Sequence, residues 1–409
     1  YQVSNFFALS SRFGTPEEFK ALVDDAHARG IAVVMDIVHS HMVGNEAESL
    51  SNFDGREDLY FYNGWQGHHP AWGTRCFDYG KDETKFFLLS NCKYWMEEYH
   101  LDGFRFDGVT SMCYIDHGIG VDFLEYRQYF DHNVDEEALT YLYLANLVVH
   151  QVDKEAITIA EDVSGMPGLA CSIEQGGIGF DYRMSMGVAD FWQKTVKEIP
   201  DEQWHVGDIF FRLTDHRNEE KVISYVESHD QAMVGDQTLI FRLIGAKMYQ
   251  LMSVFTPDIE VDRGLALHKL ITFCTAGLCD GGFLNFMGND FPREGNGWSY
   301  HYARRQWSLA DNETLKYKYL NAFHQAMAKA LMASDVLIQP AIPLVRDIAN
   351  QILAFQRGNN MLVFNFHPDS SVQDFPIYCP SGKYKISLNS DNPLFGGFGH
   401  IDETTEYFS

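Results

Sequence analysis

The chain repeats one pattern: a helical stretch of mixed polar and apolar positions, then a short, continuously apolar run. Residues 15–30 read as a helix with both ends signalled, Thr15 as N-cap, Pro16 in the first turn, Glu18 completing a capping box and Gly30 at the stop. Ile31-Ala-Val-Val-Met-Asp36 follows, as expected for a strand covered on both faces. Helical patterns at about 83–99 and 133–152 precede Leu101-Asp-Gly-Phe-Arg-Phe-Asp107 and Ala156-Ile-Thr-Ile-Ala-Glu161. A less regular stretch with a helix near 187–198 precedes Lys221-Val-Ile-Ser-Tyr-Val-Glu227, and a helix near 264–277 precedes Phe283-Leu-Asn-Phe-Met287. Such alternation predicts a parallel sheet, and the span covered favours a (β/α)8 TIM barrel over an open sheet. Five strands stand out before a last helix at about 312–333, so one or two are expected to be cryptic and others to precede Tyr1.

Beyond about residue 335 the texture changes. Ile352-Leu-Ala-Phe-Gln-Arg, Met361-Leu-Val-Phe-Asn-Phe, Lys383-Tyr-Lys-Ile-Ser-Leu and Thr404-Thr-Glu-Tyr-Phe are strand-like and are broken by Gly358-Asn-Asn, Pro368-Asp-Ser and Gly396-Gly. The expected organisation is a barrel domain over 1–334, lacking its early strands, followed by a small all-β sandwich domain over 335–409.

Composition narrows the partners. Lys+Arg 31 against Asp+Glu 57 gives a formal charge of -26, and no basic stripe is present to neutralise phosphates, so nucleic acid is not an expected partner. No run approaches a membrane span and none has the form of a signal segment, so no membrane partner is expected either. Aromatics reach 14%, and loop Trp and Tyr are what sugar-binding clefts use to stack on apolar sugar faces. The seven cysteines form no tight spacing and read as buried thiols in a reducing compartment.

Three of the strand-like runs end in an isolated carboxylate, Asp107, Glu161 and Asp230, where parallel barrels gather catalytic groups. A retaining glycosidic reaction needs a carboxylate nucleophile and a second carboxyl as acid and then base, about 5–5.5 Å apart, which neighbouring strand ends can supply. Arg105 lies two residues before Asp107, so alternation puts both side chains on one face, where the guanidinium keeps the carboxylate ionised and oriented. Asp162, next to Glu161, points to the opposite face.

Four segments, Asp36-Ile-Val-His-Ser-His41, Gly103-Phe-Arg-Phe-Asp-Gly-Val-Thr110, Ala160-Glu-Asp-Val-Ser164 and Tyr225-Val-Glu-Ser-His-Asp230, resemble the four ordered regions of the α-amylase superfamily. Within it the frames are most similar to the eukaryotic 1,4-α-glucan (starch or glycogen) branching enzymes, and the likeness runs in order from Tyr1-Gln-Val-Ser through Phe180-Asp-Tyr-Arg and Asp262-Arg-Gly to Phe291-Pro-Arg-Glu-Gly-Asn and Arg304-Arg-Gln-Trp. The resemblance implies Asp107 as nucleophile, Glu161 as general acid/base and Asp230 as transition-state stabiliser. It implies that Tyr1, Asp36, His41, Arg105 and His229 line the donor subsite, with Tyr1 stacking on the sugar. The implied partner is a linear α-1,4-glucan and the implied compartment the cytosol or, alternatively, a plastid. Many amylases place a calcium-binding Asn where this chain has Ser40, a poorer ligand, so no metal or other cofactor is expected. The resemblance also implies a longer loop after Asn289 than the Asp290-Phe-Pro-Arg of this chain, and an N-terminal glucan-binding module before Tyr1.

Other readings stand beside this one. The four segments do not distinguish a branching transferase from an α-glucan hydrolase, since the difference is whether a 6-hydroxyl or water attacks the intermediate. A non-catalytic glucan-binding protein would tolerate loss of a carboxylate, and all three are present. His39-Ser-His41 also has the form of a barrel amidohydrolase metal pair, but the later strand ends offer Asp and Glu in place of further His or Lys ligands.

Overall fold

The computed structural model describes residues 2–235, 237–286, 288–289 and 305–409, so Tyr1 and the Asp290-Phe-Pro-Arg segment, where the resemblance implies a longer loop, lie outside the described residues. The chain divides into two compact units, Tyr1–Met184 with Arg217–Lys221, and Ser185–His216 with Val222–Ser409.

In the first unit α1 (Pro16–His27) has the expected capping box: the Glu18 N–H donates to Thr15 Oγ1 at 3.2 Å, and the Thr15 N–H to the Glu18 carboxylate at 2.8 Å. There follow β1 (Val34–Ile37), α2 (Asp82–Tyr99), β2 (Gly103–Phe106), the short α3 (Val109–Cys113), α4 (Glu136–Val152), β3 (Ile157–Ala160) and β4 (Tyr182–Met184). The strands pair in parallel and in sequence, Val34 opposite Gly103, Gly103 opposite Ile157 and Ile159 opposite Tyr182. Strand β4 is the cryptic one: three residues centred on Arg183 have no apolar run to announce them. All four residues of β2 are buried, and Phe104 and Phe106 lose all solvent contact beside Tyr141, Leu142 and Ala145 of α4. Gly103 cannot be replaced at the start of β2, since a Cβ there would sit 1.9 Å from the Ile157 carbonyl oxygen.

The second unit contains α5 (Met186–Glu198), α6 (Val206–Thr214), β5 (Val222–Tyr225), α7 (Leu239–Ile244), α8 (Ile259–Leu278), β6 (Gly281–Leu284), α9 (Trp307–Ala310) and α10 (Tyr317–Met332). Strands β5 and β6 pair in parallel, Val222 opposite Gly281, so the last barrel-type strand starts two residues before the expected Phe283. The remainder is antiparallel: β7 (Ile342–Asp347), β8 (Ile352–Arg357) and β9 (Asn360–Asn365) form one sheet, and β10 (Lys383–Lys385) and β11 (Glu406–Phe408) another. Leu353, Phe355 and Phe364 of that sheet pack in one cluster with Ile271 and Cys274 of α8. The fully buried Arg357 donates to the Gly277 carbonyl at 3.0 Å and to that of Cys279, satisfying oxygens that the end of α8 leaves unpaired.

All seven cysteines are free; five are buried as expected, whereas Cys171 and Cys379 are only half-buried, each lying in an irregular segment. Among the described residues no helix is long and apolar enough to cross a membrane.

Candidate active site

Strand β2 ends at Phe106 and hands over Asp107; β3 ends at Ala160 and hands over Glu161. The parallel ladder does not stop with the strands. The Asp107 N–H donates to the Ile37 carbonyl at 2.9 Å, the Glu161 N–H to Phe106 at 3.0 Å and the Val109 N–H to Glu161 at 2.9 Å. Both carboxylates therefore stand on backbone that is still hydrogen-bonded to its neighbours. Gly108 makes this turn possible: it takes φ +64, and its N–H donates to Glu161 Oε2 at 2.7 Å.

Arg105 shares its face of β2 with Asp107, as alternation requires, and its guanidinium joins three carboxylates. It meets Asp107 Oδ1 at 2.6 Å, Asp36 Oδ1 at 2.7 Å and Glu161 Oε2 at 3.1 Å. Burial opposes the charge on Arg105, yet Glu161, Asp36 and Asp107 together outweigh it and hold the guanidinium firmly protonated. The Asp107 and Glu161 side chains are 13% and 15% exposed against 45% for Asp36, so the first two sit in the drier part of the cluster.

The end of β1 separates its two histidines. His39 is fully buried, with Nδ1 2.5 Å from the Tyr141 hydroxyl and Nε2 2.9 Å from Asn91 Oδ1, and burial pushes its pKa down to about 4. Both ring nitrogens are thereby occupied by protein, which removes the metal-pair reading of His39-Ser-His41. His41 is also buried and its pKa falls to about 4, burial outweighing the pull of the Asp107 carboxylate, so it is a neutral imidazole able to bind a hydroxyl. Its ring lies 4.8 Å from that of Trp72, which stacks flat on His69 at 3.8 Å and 6°. Trp72 remains 44% exposed and is a group that the sequence reasoning missed; the signal available was a tryptophan in a Pro70-Ala-Trp-Gly73 loop.

Asp162 faces away from the cluster, as expected, into a buried network with Thr110, Ser164 and Arg183. His229 and Asp230 belong to the second unit. Asp230 lies five residues beyond the end of β5 rather than directly at it, at the start of a wide helical turn, Asp230–Gly235, of a kind frequent at functional sites. Its N–H donates to Ser228 Oγ at 3.1 Å, and Oδ1 lies 3.3 Å from His229 Nε2.

Ser40, at the position where many amylases carry Asn, has a buried hydroxyl with no partner among the described residues. Among the described residues no group of three or more His, Cys, Asp or Glu is placed to hold a metal.

Residues 1–75 match the family described as alpha amylase, catalytic domain, and residues 345–409 the family described as alpha amylase, C-terminal all-beta domain. Proteins named 1,4-alpha-glucan-branching enzyme align with the whole chain: that of Rhizophagus irregularis is 49% identical and that of Equus caballus 50%, the chain spanning 62% and 60% of their lengths. That of Solanum tuberosum is 46% identical, with 49% of its length spanned. Among solved structures, a maltogenic alpha-amylase of Thermotoga neapolitana matches 90% of this chain and 72% of its own, with TM-score 0.60 at 16% identity. A type III pullulan hydrolase of Thermococcus kodakarensis matches 90% and 59%, with TM-score 0.63 at 19% identity. The fold is thus a portion of the (β/α)8 barrel followed by an all-β C-terminal region, and the chain, which spans about three fifths of the length of the first of these relatives, is similar along its whole length to proteins named 1,4-alpha-glucan-branching enzyme and carries segments of two alpha amylase families.

Proposed function

We propose that the protein carrying this chain is a glucan-branching transglycosylase. Asp107 attacks the anomeric carbon of an α-1,4-linked glucan while Glu161 protonates the departing O4, giving a glycosyl-Asp ester. Glu161 then takes a proton from the 6-hydroxyl of an acceptor chain, whose oxygen displaces Asp107 and forms an α-1,6 branch with retention. The observation that carries this reading is the single guanidinium of Arg105 bridging Asp107 and Glu161 at adjacent strand ends. It keeps one carboxylate ready as nucleophile and orients the other beside it. Asp230 is assigned to stabilising the oxocarbenium-like transition state, and Tyr1, Asp36, His41, Arg105 and His229 to the donor subsite. In this reading residues 1–334 are the barrel portion and 335–409 the C-terminal domain. The cytosol is the working compartment, with a plastid as the alternative, and nucleic acid and membrane are not partners.

Transfer rather than hydrolysis is favoured by the names of the relatives that align along the entire chain. Incubating the full-length protein with amylose and looking for new α-1,6 signals by NMR tests it, and reducing sugar released without branches would refute it. Asp107→Ala should abolish turnover while glucan binding persists; substantial residual turnover would show that another group is the nucleophile.

A further inference from the structure

The side chain next to the proposed acid/base is a buried carboxylate with five hydrogen-bond donors. Asp162 is fully buried and accepts on both oxygens. Its Oδ1 takes the Thr110 and Ser164 hydroxyls, each at 2.7 Å, and the Ser164 N–H at 3.2 Å; its Oδ2 takes the Gly165 N–H at 3.0 Å and the Arg183 guanidinium. Arg183 in turn donates to the Met166 carbonyl at 2.9 Å and to Glu220, which caps the Gly168 N–H.

The Thr110 bond matters most for chemistry. Thr110 Oγ1 accepts the Val163 N–H at 2.8 Å while donating to Asp162, so the segment after Asp107 is stitched to the segment after Glu161 on both sides of a single residue. On the near side of that stitch the Val109 N–H holds the Glu161 carbonyl, and the Gly108 N–H holds its carboxylate. The Glu161 backbone therefore has hydrogen bonds to segment 106–109 before the residue and a buried ionic anchor immediately after it. Among the described residues, the hydrogen bonds of the Asp162 network run to Thr110, Ser164, Gly165 and Arg183 and not to Arg105 or Asp107.

We infer that Asp162, through Thr110 and Arg183, is a positioning residue that fixes the Glu161 carboxyl for proton transfer to the leaving oxygen. This rests on Glu161 being the acid/base. Buried charge without its partners would move the 161–166 segment, and a displacement on the order of 1 Å costs about a hundredfold in rate.

The test separates bond cleavage that needs an acid from cleavage that does not. With amylose, the C1–O4 bond breaks as the Asp107 oxygen bonds to C1 and Glu161 gives its proton to O4. With α-maltotriosyl fluoride the same ester forms, but fluoride leaves as an anion and needs no proton. Asp162→Asn and Thr110→Val in the full-length protein should lower kcat on amylose about ten- to a hundredfold at unchanged KM. First-turnover fluoride release should stay near the parent rate, and Thr110→Ser should restore amylose turnover. Glu161→Gln is the reference: it should show the same split more strongly. If Glu161→Gln keeps amylose turnover or loses the fluoride burst, the acid/base reading itself fails. If Glu161→Gln splits as expected but Thr110→Val slows both substrates equally, or neither, the positioning role is overturned. Thr110→Val removes no charge, so it separates these outcomes even if Asp162→Asn does not fold.

Discussion

Adding one methyl group at Gly108 tests the turn on which both proposed carboxylates depend. Gly108 sits at φ +64, and the left-handed conformation costs an Ala there about 1–2 kcal/mol. Its Cβ would also meet Ser40 Oγ at 2.9 Å and Ser40 Cβ at 3.3 Å, an overpacking that costs about 1–3 kcal/mol. Relief by shifting the turn would pull the Gly108 N–H from Glu161 Oε2, now 2.7 Å away. A hydrogen bond to a charged group contributes about 1.5–3 kcal/mol, equivalent to about ten- to a hundredfold in rate if the bond serves the transition state. Gly108→Ala should therefore lower both the thermal unfolding midpoint, followed by near-UV circular dichroism, and kcat on amylose. Ser40→Ala alone should be neutral or stabilising, because its hydroxyl is buried without a partner among the described residues. In the Ser40→Ala background the Gly108→Ala loss should shrink but not vanish, since the φ strain and the Cβ contact remain. A Gly108→Ala protein that melts and turns over like the parent, or a strictly additive pair, would refute the reasoning.

Three other outcomes follow from the structure. His150 pairs with Asp181 at 3.1 Å and bonds the Asn146 carbonyl at 2.8 Å, which raises its pKa above the ordinary 6.5, while Asp181, despite burial, is held below 3.8 by His150 and Thr158. The raised His contributes stability below pH 6.5 and loses it as pH rises through the folded value; the lowered Asp contributes above pH 3.8, so the parent's advantage over His150→Gln should be greatest between those pH values. With both side chains about a third exposed, the advantage is under about 1 kcal/mol, and one that grew above pH 7 would contradict the pairing. Arg357→Met should destabilise by about 3 kcal/mol or more in denaturant unfolding, because the Gly277 and Cys279 carbonyls lose their donor; a loss no larger than that of a surface substitution would show that water replaces the guanidinium. Elemental analysis should show no zinc held through His39, since Tyr141 and Asn91 occupy both of its nitrogens; stoichiometric zinc that is lost in His39→Gln would contradict that geometry.

Elements whose signals are local were legible in the sequence. Helix α1 announces itself within four residues, Thr15 to Glu18, and the buried strands β2 and β3 are short apolar runs set off by Gly103 and by Asp153 to Glu155. What escaped was set by distant partners. Strand β4 has an arginine at its centre, which reads as surface until Asp162, 21 residues earlier, and Glu220, 37 residues later, neutralise it. Strand β7 carries Pro343, a residue that argues against a strand, and the register shift between Pro343 and Val345 absorbs it. At the site, the shared face of Arg105 and Asp107 followed from a spacing of two, whereas the Asp36 contact joins β1 to β2 across 69 positions and has no local pattern. The stacking of Trp72 on His69 was equally invisible, because the flat approach of the two rings depends on how the loop folds back on itself.

The carboxylates around Arg105 outnumber that one cation. Even with Glu161 protonated as the proposed acid, Asp36 and Asp107 face one cation, so negative charge is in excess around the dry end of β2, in a chain that is itself strongly anionic. A phosphate or sugar nucleotide approaching Asp107 would meet a repulsive field that little solvent is present to screen, whereas an uncharged chain of hydroxyls would meet only acceptors for its protons. Under the proposed function, that excess charge would favour an uncharged glucan over an anionic sugar at the same site.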